Sequence, residues 1–147
     1  MSNLFKAFDV SGSAMAAQSV RLNTISSNMA NAQVGSPTAE GAYRSKQPVF
    51  QSVMEQARAG AGNGTAHPSS ASVRVKDIVE SDAEPRLKYE PHHPQANDEG
   101  YVYMPNVNMV DEMANMISAS RSYENNVEVM NTTKQLLLRT LQIGQGQ

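Results

Sequence analysis

Histidines and the carboxylates beside them are the residues best suited to chemistry in this sequence. His92 and His93 are adjacent, Asp98 and Glu99 follow them, and His67 stands alone. Adjacent side chains in an extended segment point in opposite directions, and the chain has no cysteine to complete a zinc site. Neighbouring loop carboxylates are usually solvated, and no nucleophile, base and orienting group form a set. We therefore expect a solvated loop here, with no metal site, no cofactor and no enzyme activity.

Asparagines beside apolar positions are the second group of polar residues with a candidate role. The segment NMAN, residues 28–31, has a near copy in EMANM, residues 112–116. In a helix, Asn28 and Asn31 would take neighbouring positions beside Met29. These amides either form a soluble helix surface or hydrogen-bond to a neighbouring helix, because a paired amide is cheaper to bury than a charge. That helix could belong to the same chain or to another subunit.

The prolines divide the chain into three parts. All seven lie between Pro37 and Pro105, and the segments on either side contain none. Helix interiors tolerate proline poorly. The division therefore predicts an N-terminal helix in residues 1–36, strands and loops in residues 37–105 and a C-terminal helix in residues 106–147. The expected fold is mainly α with a small β-rich insert, and the long terminal helices pair like a coiled coil.

Apolar side chains recur along both outer segments at alternating spacings of three and four residues. In each series seven of nine positions are apolar, which is typical of a coiled-coil seam about four heptads long. The first series is Leu4, Phe8, Ser11, Met15, Gln18, Leu22, Ile25, Met29 and Ala32, and the second is Met113, Met116, Ser120, Tyr123, Val127, Met130, Lys134, Leu137 and Leu141. The apolar members of both series up to Met29 and Leu141, together with Asn28, Asn31 and Ile117, are the predicted subunit-packing residues.

Residues typical of helix ends mark the limits of both helices. Gly35 and Pro37 are expected to stop the first helix, and Gly144 the second. Either Asn106 or Asn108 is expected to cap the start of the second helix, where two acidic residues in the first turn suit the helix dipole.

Short extended segments are predicted between the helices. They are residues 43–53, 72–81, 86–90 and 100–105. We expect Pro48 to break the first of them, and we expect residues 59–72 to form a glycine-rich loop or hairpin tip.

Charge and hydropathy exclude several classes of function. The formal net charge is −2, and lysine and arginine are scattered, so no surface for nucleic acid or an anionic membrane is expected. No apolar run reaches roughly 18 residues, so we expect no membrane insertion. The N-terminal residues lack the continuous apolar stretch of a secretory signal peptide.

The predicted helices are too long for a compact globule of this size, and their polar positions are mostly uncharged. Residues 1–36 contain only Lys6, Asp9 and Arg21 as charged residues. An isolated solvated helix usually carries interleaved glutamate and lysine, whereas alanine, serine and asparagine suit close packing. We expect an elongated subunit of a polymer, with the helices side by side and the middle region attached at one end. A generic coiled-coil adaptor would explain the seams but not the β-rich insert.

Most of the chain resembles the bacterial flagellar basal-body rod proteins. The matching runs are GYVYMPNVNMVDEMANMISASRSYENNVEVMNTTKQLLLRTLQIGQ at 100–145, RLNTISSNMANAQ at 21–33, AYRSKQPVF at 42–50 and HHPQANDEGYVY at 92–103. Residues 59–72 do not match, and residues 33–35 depart from the common pattern at the helix exit.

The resemblance implies a structural role with no enzyme chemistry. In this family the terminal helices pair in an inner tube domain, and a small β-rich domain lies outside. The subunits are exported without cleavage by the flagellar type III apparatus and assemble into a periplasmic rod that transmits motor torque. The implied partners are further copies, other proximal rod proteins, the MS-ring and export-gate adaptor protein and the distal rod protein.

Overall fold

The computed structural model describes residues 2–54 and 71–145, so most of the predicted loop at residues 59–72 lies outside the described part. The elements are α1 (Ser2–Asn31), β1 (Lys46–Met54), β2 (Ala71–Glu80), β3 (Arg86–Tyr89), β4 (Tyr101–Met104) and α2 (Met109–Gln145). The strands form two antiparallel two-stranded sheets, β1–β2 and β3–β4. The prediction of long terminal helices with a small β-rich insert is confirmed.

Two of the helix ends lie close to the predicted end signals. α1 ends at Asn31, ahead of Gly35, and the Val34 N–H then donates to the Asn31 carbonyl at 3.1 Å. Asn108 caps α2, because its Oδ1 accepts from the Val110 N–H at 3.1 Å.

One other prediction about a helix end is wrong, and the choice between the two candidate caps is decided. α2 continues through Gly144 to Gln145, and among the described residues nothing lies within 4 Å of the Cβ that Gly144 lacks. A helix tolerates a single glycine at modest cost when no contact forces a turn. Asn106 is not the cap; its side chain accepts from the Ser45 N–H at 2.7 Å and donates to the Ala83 carbonyl at 2.8 Å.

The two helices lie side by side and antiparallel. Asn28 near the end of α1 meets Glu112 near the start of α2, and a Cβ on Gly12 would lie 3.8 Å from Met130 Cε. With 30 and 37 residues, the helices are about 45 and 55 Å long. We call the end with the α1 N-terminus and the α2 C-terminus the lower end, and the opposite end the upper end.

The β1–β2 sheet runs through the position where a break was predicted. Pro48 lies within β1 and pairs with Ile78 of β2. The register of the two strands shifts only after it, at a bulge between Val49 and Phe50. Each strand of a two-stranded sheet has an open edge, where a missing backbone N–H does no harm. The predicted break at Pro48 is therefore wrong.

The same sheet lies along α1 rather than hanging from its end. The Lys46 N–H donates to Asn28 Oδ1 at 2.9 Å, and the Val73 N–H donates to Ser13 Oγ at 3.2 Å. Fifteen helical residues separate these anchors, or about 22 Å of helix. The expected attachment of the whole middle region at one end is wrong for β1–β2.

The β3–β4 sheet sits at the upper end, where the chain leaves α1 and enters α2. Ser36 and Tyr103 form an isolated bridge with two backbone hydrogen bonds of 2.9 Å. Arg86 donates to the Pro105 carbonyl at 3.2 Å and to the Val107 carbonyl at 3.0 Å. These bonds hold the entry to α2 beside the exit from α1.

The buried core is small and consists of short side chains. Its hydrophobic members include Ala17, Ile25, Val102, Val107 and Ala119. Alanines at the helix contact let the two backbones approach closely. Across residues 2–54 and 71–145, neither helix has an apolar stretch long enough to cross a membrane.

Replacing Gly35 with alanine is expected to lower the free energy of unfolding by about 1–3 kcal/mol. The added Cβ would overlap Cγ1 of Val102, whose side chain is fully buried and cannot move aside freely. Chemical denaturation monitored by circular dichroism measures the loss. Gly12→Ala is the matched control: its Cβ meets Met130 only at 3.8 Å, so helix propensity should make it stabilising. Equal stability of the Gly35→Ala variant and the parent would contradict the prediction.

Candidate functional site

The amide of Asn28 joins α1, β1 and α2 at one point. Its side chain is only 1% exposed. Nδ2 donates to the Lys46 carbonyl and to Glu112 Oε1, both at 2.9 Å. Oδ1 accepts from the Lys46 N–H at 2.9 Å and from the Tyr43 hydroxyl at 3.0 Å. An asparagine amide has two donor hydrogens and two acceptor lone pairs, so its bonding capacity is filled.

The Glu112 carboxylate is buried in this junction. It lies in the first turn of α2, where the positive end of the helix dipole favours a negative charge. The Asn28 amide supplies its hydrogen bond, and one turn further along, Arg21 Nη2 donates to Asn115 Oδ1 at 3.1 Å. A cavity of about 300 Å³ opens beside these groups. It is lined by Arg21, Ile25, Lys46, Gln47, Pro48, Phe50, Glu112 and Asn115.

The residues of α2 that face α1 are only partly those of the predicted seam. About every second seam position is replaced by the residue before it. Glu112, Ala119 and Thr133 are buried, whereas the predicted Met113 and Lys134 are exposed. Met116, Met130 and Leu137 are half-buried and belong to both series. The inward face therefore begins one residue earlier in each heptad and is lined largely by small or polar residues.

A consequence is that many large apolar side chains of α2 point away from α1. The exposed ones are Val110, Met113, Ile117, Tyr123, Val129, Leu136, Leu138, Leu141 and Ile143. Scattered exposed apolar residues are ordinary, but contiguous apolar patches mark interaction surfaces. Val110, Met113 and Ile117 follow one another at spacings of three and four, so they form a continuous stripe. We call these three residues the outer stripe.

The predicted packing residues fall into two groups. Leu4, Phe8, Met15, Leu22, Ile25, Asn28, Met29, Asn31, Met116, Val127, Met130 and Leu137 are buried or half-buried within the chain. Met113, Ile117, Tyr123 and Leu141 are exposed. The packing of all of them against other subunits remains a prediction.

The two asparagines have different environments. The amide of Asn28 hydrogen-bonds to β1 and α2 of its own chain. Of the two expected neighbours, a helix of the same chain and a helix of another subunit, Asn28 therefore has the first. Asn31 is half-buried, and its Nδ2 donates to the Ser27 carbonyl of the preceding turn at 2.8 Å.

The histidine loop shows no arrangement suited to metal binding in the part of the chain that the structure describes, where no three potential ligands cluster. His93 Nδ1 accepts from the Gln95 N–H at 3.1 Å. In the same region, a hydrogen bond from Lys88 lowers the pKa of the half-buried Glu90 carboxyl. These contacts organise the loop.

The sequence did not predict how the residues of the junction come together. Glu112 looked like an acid favoured by the helix dipole, which is correct but does not predict its burial. Tyr43 and Lys46 lie 15 and 18 residues beyond Asn28, in a segment whose folding back onto α1 no periodicity indicates. The sequence signal for this junction was the position of Asn28 and Asn31 beside the apolar seam of α1.

Comparison with known protein families places both terminal segments in flagellar rod families. Residues 8–35 match the family described as flagella basal body rod protein. Residues 98–143 match the family described as flagellar basal body rod FlgEFG protein C-terminal. These segments contain the C-terminal four-fifths of α1 and nearly all of α2.

Similar proteins cover almost the full length. The flagellar basal-body rod protein FlgC of Escherichia coli O6:H1 is 49% identical over 142 residues, which are 97% of this chain and 98% of that protein. FlgC of Salmonella typhimurium is 46% identical with the same coverage. FlgC of Bacillus subtilis is 38% identical over 95% of this chain and 97% of that protein.

Proposed function

The chain belongs to the family of flagellar basal-body rod proteins, and we propose that it polymerises through its terminal helices in the proximal part of the rod. It is a structural subunit of the basal body. The exposed apolar side chains of α2 carry the proposal for polymerisation, because a two-helix pair leaves them uncovered. Neighbouring helices in a rod would bury them.

The proposed division of labour follows the three segments. Residues 1–36 and 106–147 form the inner helical domain, and residues 37–105 form the outer region. The proposed packing residues are the apolar members of both seams up to Met29 and Leu141, together with Asn28, Asn31 and Ile117. Helices about 45 and 55 Å long, laid along the rod axis, would carry torsion between the motor and the hook. The β1–β2 sheet, anchored on α1 at two levels, would stiffen each subunit.

The proposed partners are further copies of this chain, the other proximal rod proteins, the adaptor between the MS ring and the export gate, and the distal rod protein. Location in the periplasmic rod and export without a cleaved signal peptide are part of the proposal. Cryo-electron microscopy of basal bodies tests the proposal, with cells in which this chain is the sole rod protein of its type. Density for paired helices in the proximal rod is expected, and a rod that lacks the chain would contradict the proposal.

Hydrogen exchange is expected to show a gradient along α2 in the free subunit. Around Ala119 the helix is buried against α1, but most side chains of residues 134–144 are exposed. Sparse burial makes local opening cheap, so amides near the lower end should exchange faster than those near Ala119. In isolated rods the lower end should become protected, since neighbours would cover it. Uniform protection of α2 in the free subunit would contradict the prediction that assembly orders the lower end of this helix.

A further inference from the structure

Methionine supplies all the sulfur of this chain. The sequence has nine methionines and no cysteine. A methionine thioether is oxidised readily when an oxidant can reach it. Of the seven methionines whose side chains the structure describes, Met113 is 52% exposed and the other six are half-buried. Within this set, the free subunit therefore offers the thioether of Met113 to an oxidant ahead of the others.

Met113 lies at the centre of the outer stripe. Val110 precedes it by three residues, and Ile117 follows it by four. Met109 and Met116 flank it at spacings of four and three along the same helix, and both are half-buried. The exposed thioether thus stands in an apolar surface, and two less exposed methionines of the same helix provide internal references for its reactivity.

We propose that Met113 is a modification site, and that its oxidation to the sulfoxide by a hydroperoxide before assembly keeps the subunit out of the rod. The sulfur lone pair attacks one oxygen of the hydroperoxide, the O–O bond breaks and an S–O bond forms. The sulfur loses two electrons. The second oxygen takes up the proton of the first and leaves as water from hydrogen peroxide, or as an alcohol from an organic hydroperoxide. Methionine sulfoxide reductases reverse this oxidation, so the modification is not permanent.

The sulfoxide changes the surface that the proposed contact requires. Its S–O group is polar, whereas the thioether is apolar. In the free subunit water hydrates this group, so the fold should be unaffected. Against the apolar surface of a neighbour the group would lose its water without gaining a donor, and burial of an unpaired polar group is unfavourable. This inference rests on the proposed function, because the penalty arises only where a neighbouring subunit covers the outer stripe.

Peroxide treatment of the purified full chain tests the reactivity. Peptide mass spectrometry should show that hydrogen peroxide oxidises Met113 at least about threefold faster than Met109 and Met116, because exposure controls access to the sulfur. In isolated basal bodies the rate at Met113 should fall toward that at Met116, since a neighbour would cover the outer stripe. Equal rates at the three residues in the free chain, or an unchanged rate at Met113 in basal bodies, would overturn the proposal.

A substitution tests the effect of the modification on assembly. Met113→Gln places a polar side chain of similar length in the outer stripe, and basal bodies should contain at least about fivefold less of this variant than of the parent chain. Met113→Leu keeps the position apolar and should be incorporated better than Met113→Gln. Ser118→Gln is the control: it adds the same amide at an exposed position of the same helix, off the outer stripe, and should be incorporated like the parent.

Incorporation into basal bodies also separates this inference from the proposed function. If Met113→Gln is incorporated as well as the parent, or if Ser118→Gln is lost to the same degree, Met113 is not a modification site that controls assembly, and the rod role stands. Absence of the parent chain from basal bodies would remove the rod role itself, whatever the reactivity of Met113 in the free chain.

Discussion

Replacing Asn28 with aspartate is expected to destabilise the folded chain by about 3–5 kcal/mol, the range for an uncompensated buried charge. The substitution keeps the shape of the side chain and removes both donor hydrogens. The new oxygen would face the Lys46 carbonyl and the Glu112 carboxylate, each now 2.9 Å from Asn28 Nδ2. Two acceptors would lose their donor, and two carboxylates would share one buried site.

Asn28→Ala separates the lost hydrogen bonds from the added charge. It leaves the Lys46 N–H, the Lys46 carbonyl and Glu112 without the amide, so a loss of about 2–4 kcal/mol is expected. Thermal and chemical denaturation of the purified chain should place Asn28→Asp below Asn28→Ala. The reverse order would mean that the Glu112 carboxylate does not face this position when the chain is folded.

Asn31→Asp is the matched control, because it adds the same charge to the last turn of the same helix. Asn31 is half-buried, and its Nδ2 makes one bond, to the Ser27 carbonyl. Its stability loss should therefore be only about 1 kcal/mol. If Asn31 also packs against another subunit, as proposed, motility should fall while the monomer stays folded. Equal destabilisation by Asn28→Asp and Asn31→Asp would contradict the junction at Asn28.

The sequence predicted the plan of the molecule because proline placement and heptad spacing are local signals. The helices with no internal proline, the Asn108 cap and the extended segments follow from residues close together in the chain. The pairing of the strands was not part of the prediction. Local signals of this kind did not predict that the β1–β2 sheet runs along α1. It depends on bonds such as that between Ser13 and Val73, which are 60 residues apart.

The error in the α2 seam has a physical cause. Counting apolar residues finds whichever face is most hydrophobic, and in α2 that face is not the one against α1. The inward face uses Ala119 and Thr133, whose small size permits close packing, and Glu112, which is paired with Asn28. In α1 the counted series has no exposed member, so there the apolar face and the inward face coincide. If the outer stripe packs against a neighbouring subunit, as proposed, α2 has two packing faces, and this mixture is the expected result.

Introducing glutamate at Ile117 is expected to abolish motility while leaving the free subunit stable to within about 0.5 kcal/mol. Ile117 is 55% exposed and lies in the outer stripe with Val110 and Met113. In the free chain a charge there remains solvated. In an assembled rod it would be buried against a neighbour without a partner, and such a charge costs several kcal/mol at each contact.

The adjacent Ser118 provides the control. Ser118 is also exposed, but it lies about 100° around the helix from Ile117, off the outer stripe. Ser118→Glu carries the same charge at nearly the same height and should leave motility intact. Quantitative blotting of purified basal bodies should show a loss of at least about tenfold for Ile117→Glu, the effect of 1.4 kcal/mol or more in each contact.

The comparison decides between two roles for the exposed apolar residues of α2. If they are ordinary surface residues, Ile117→Glu and Ser118→Glu will behave alike, because both add one solvated charge to one helix. If the outer stripe packs against a neighbour, only Ile117→Glu will fail, and it will fail at assembly with a normally folded subunit. Normal incorporation of Ile117→Glu would move the contact surface away from the outer stripe, toward the apolar residues near the lower end of α2.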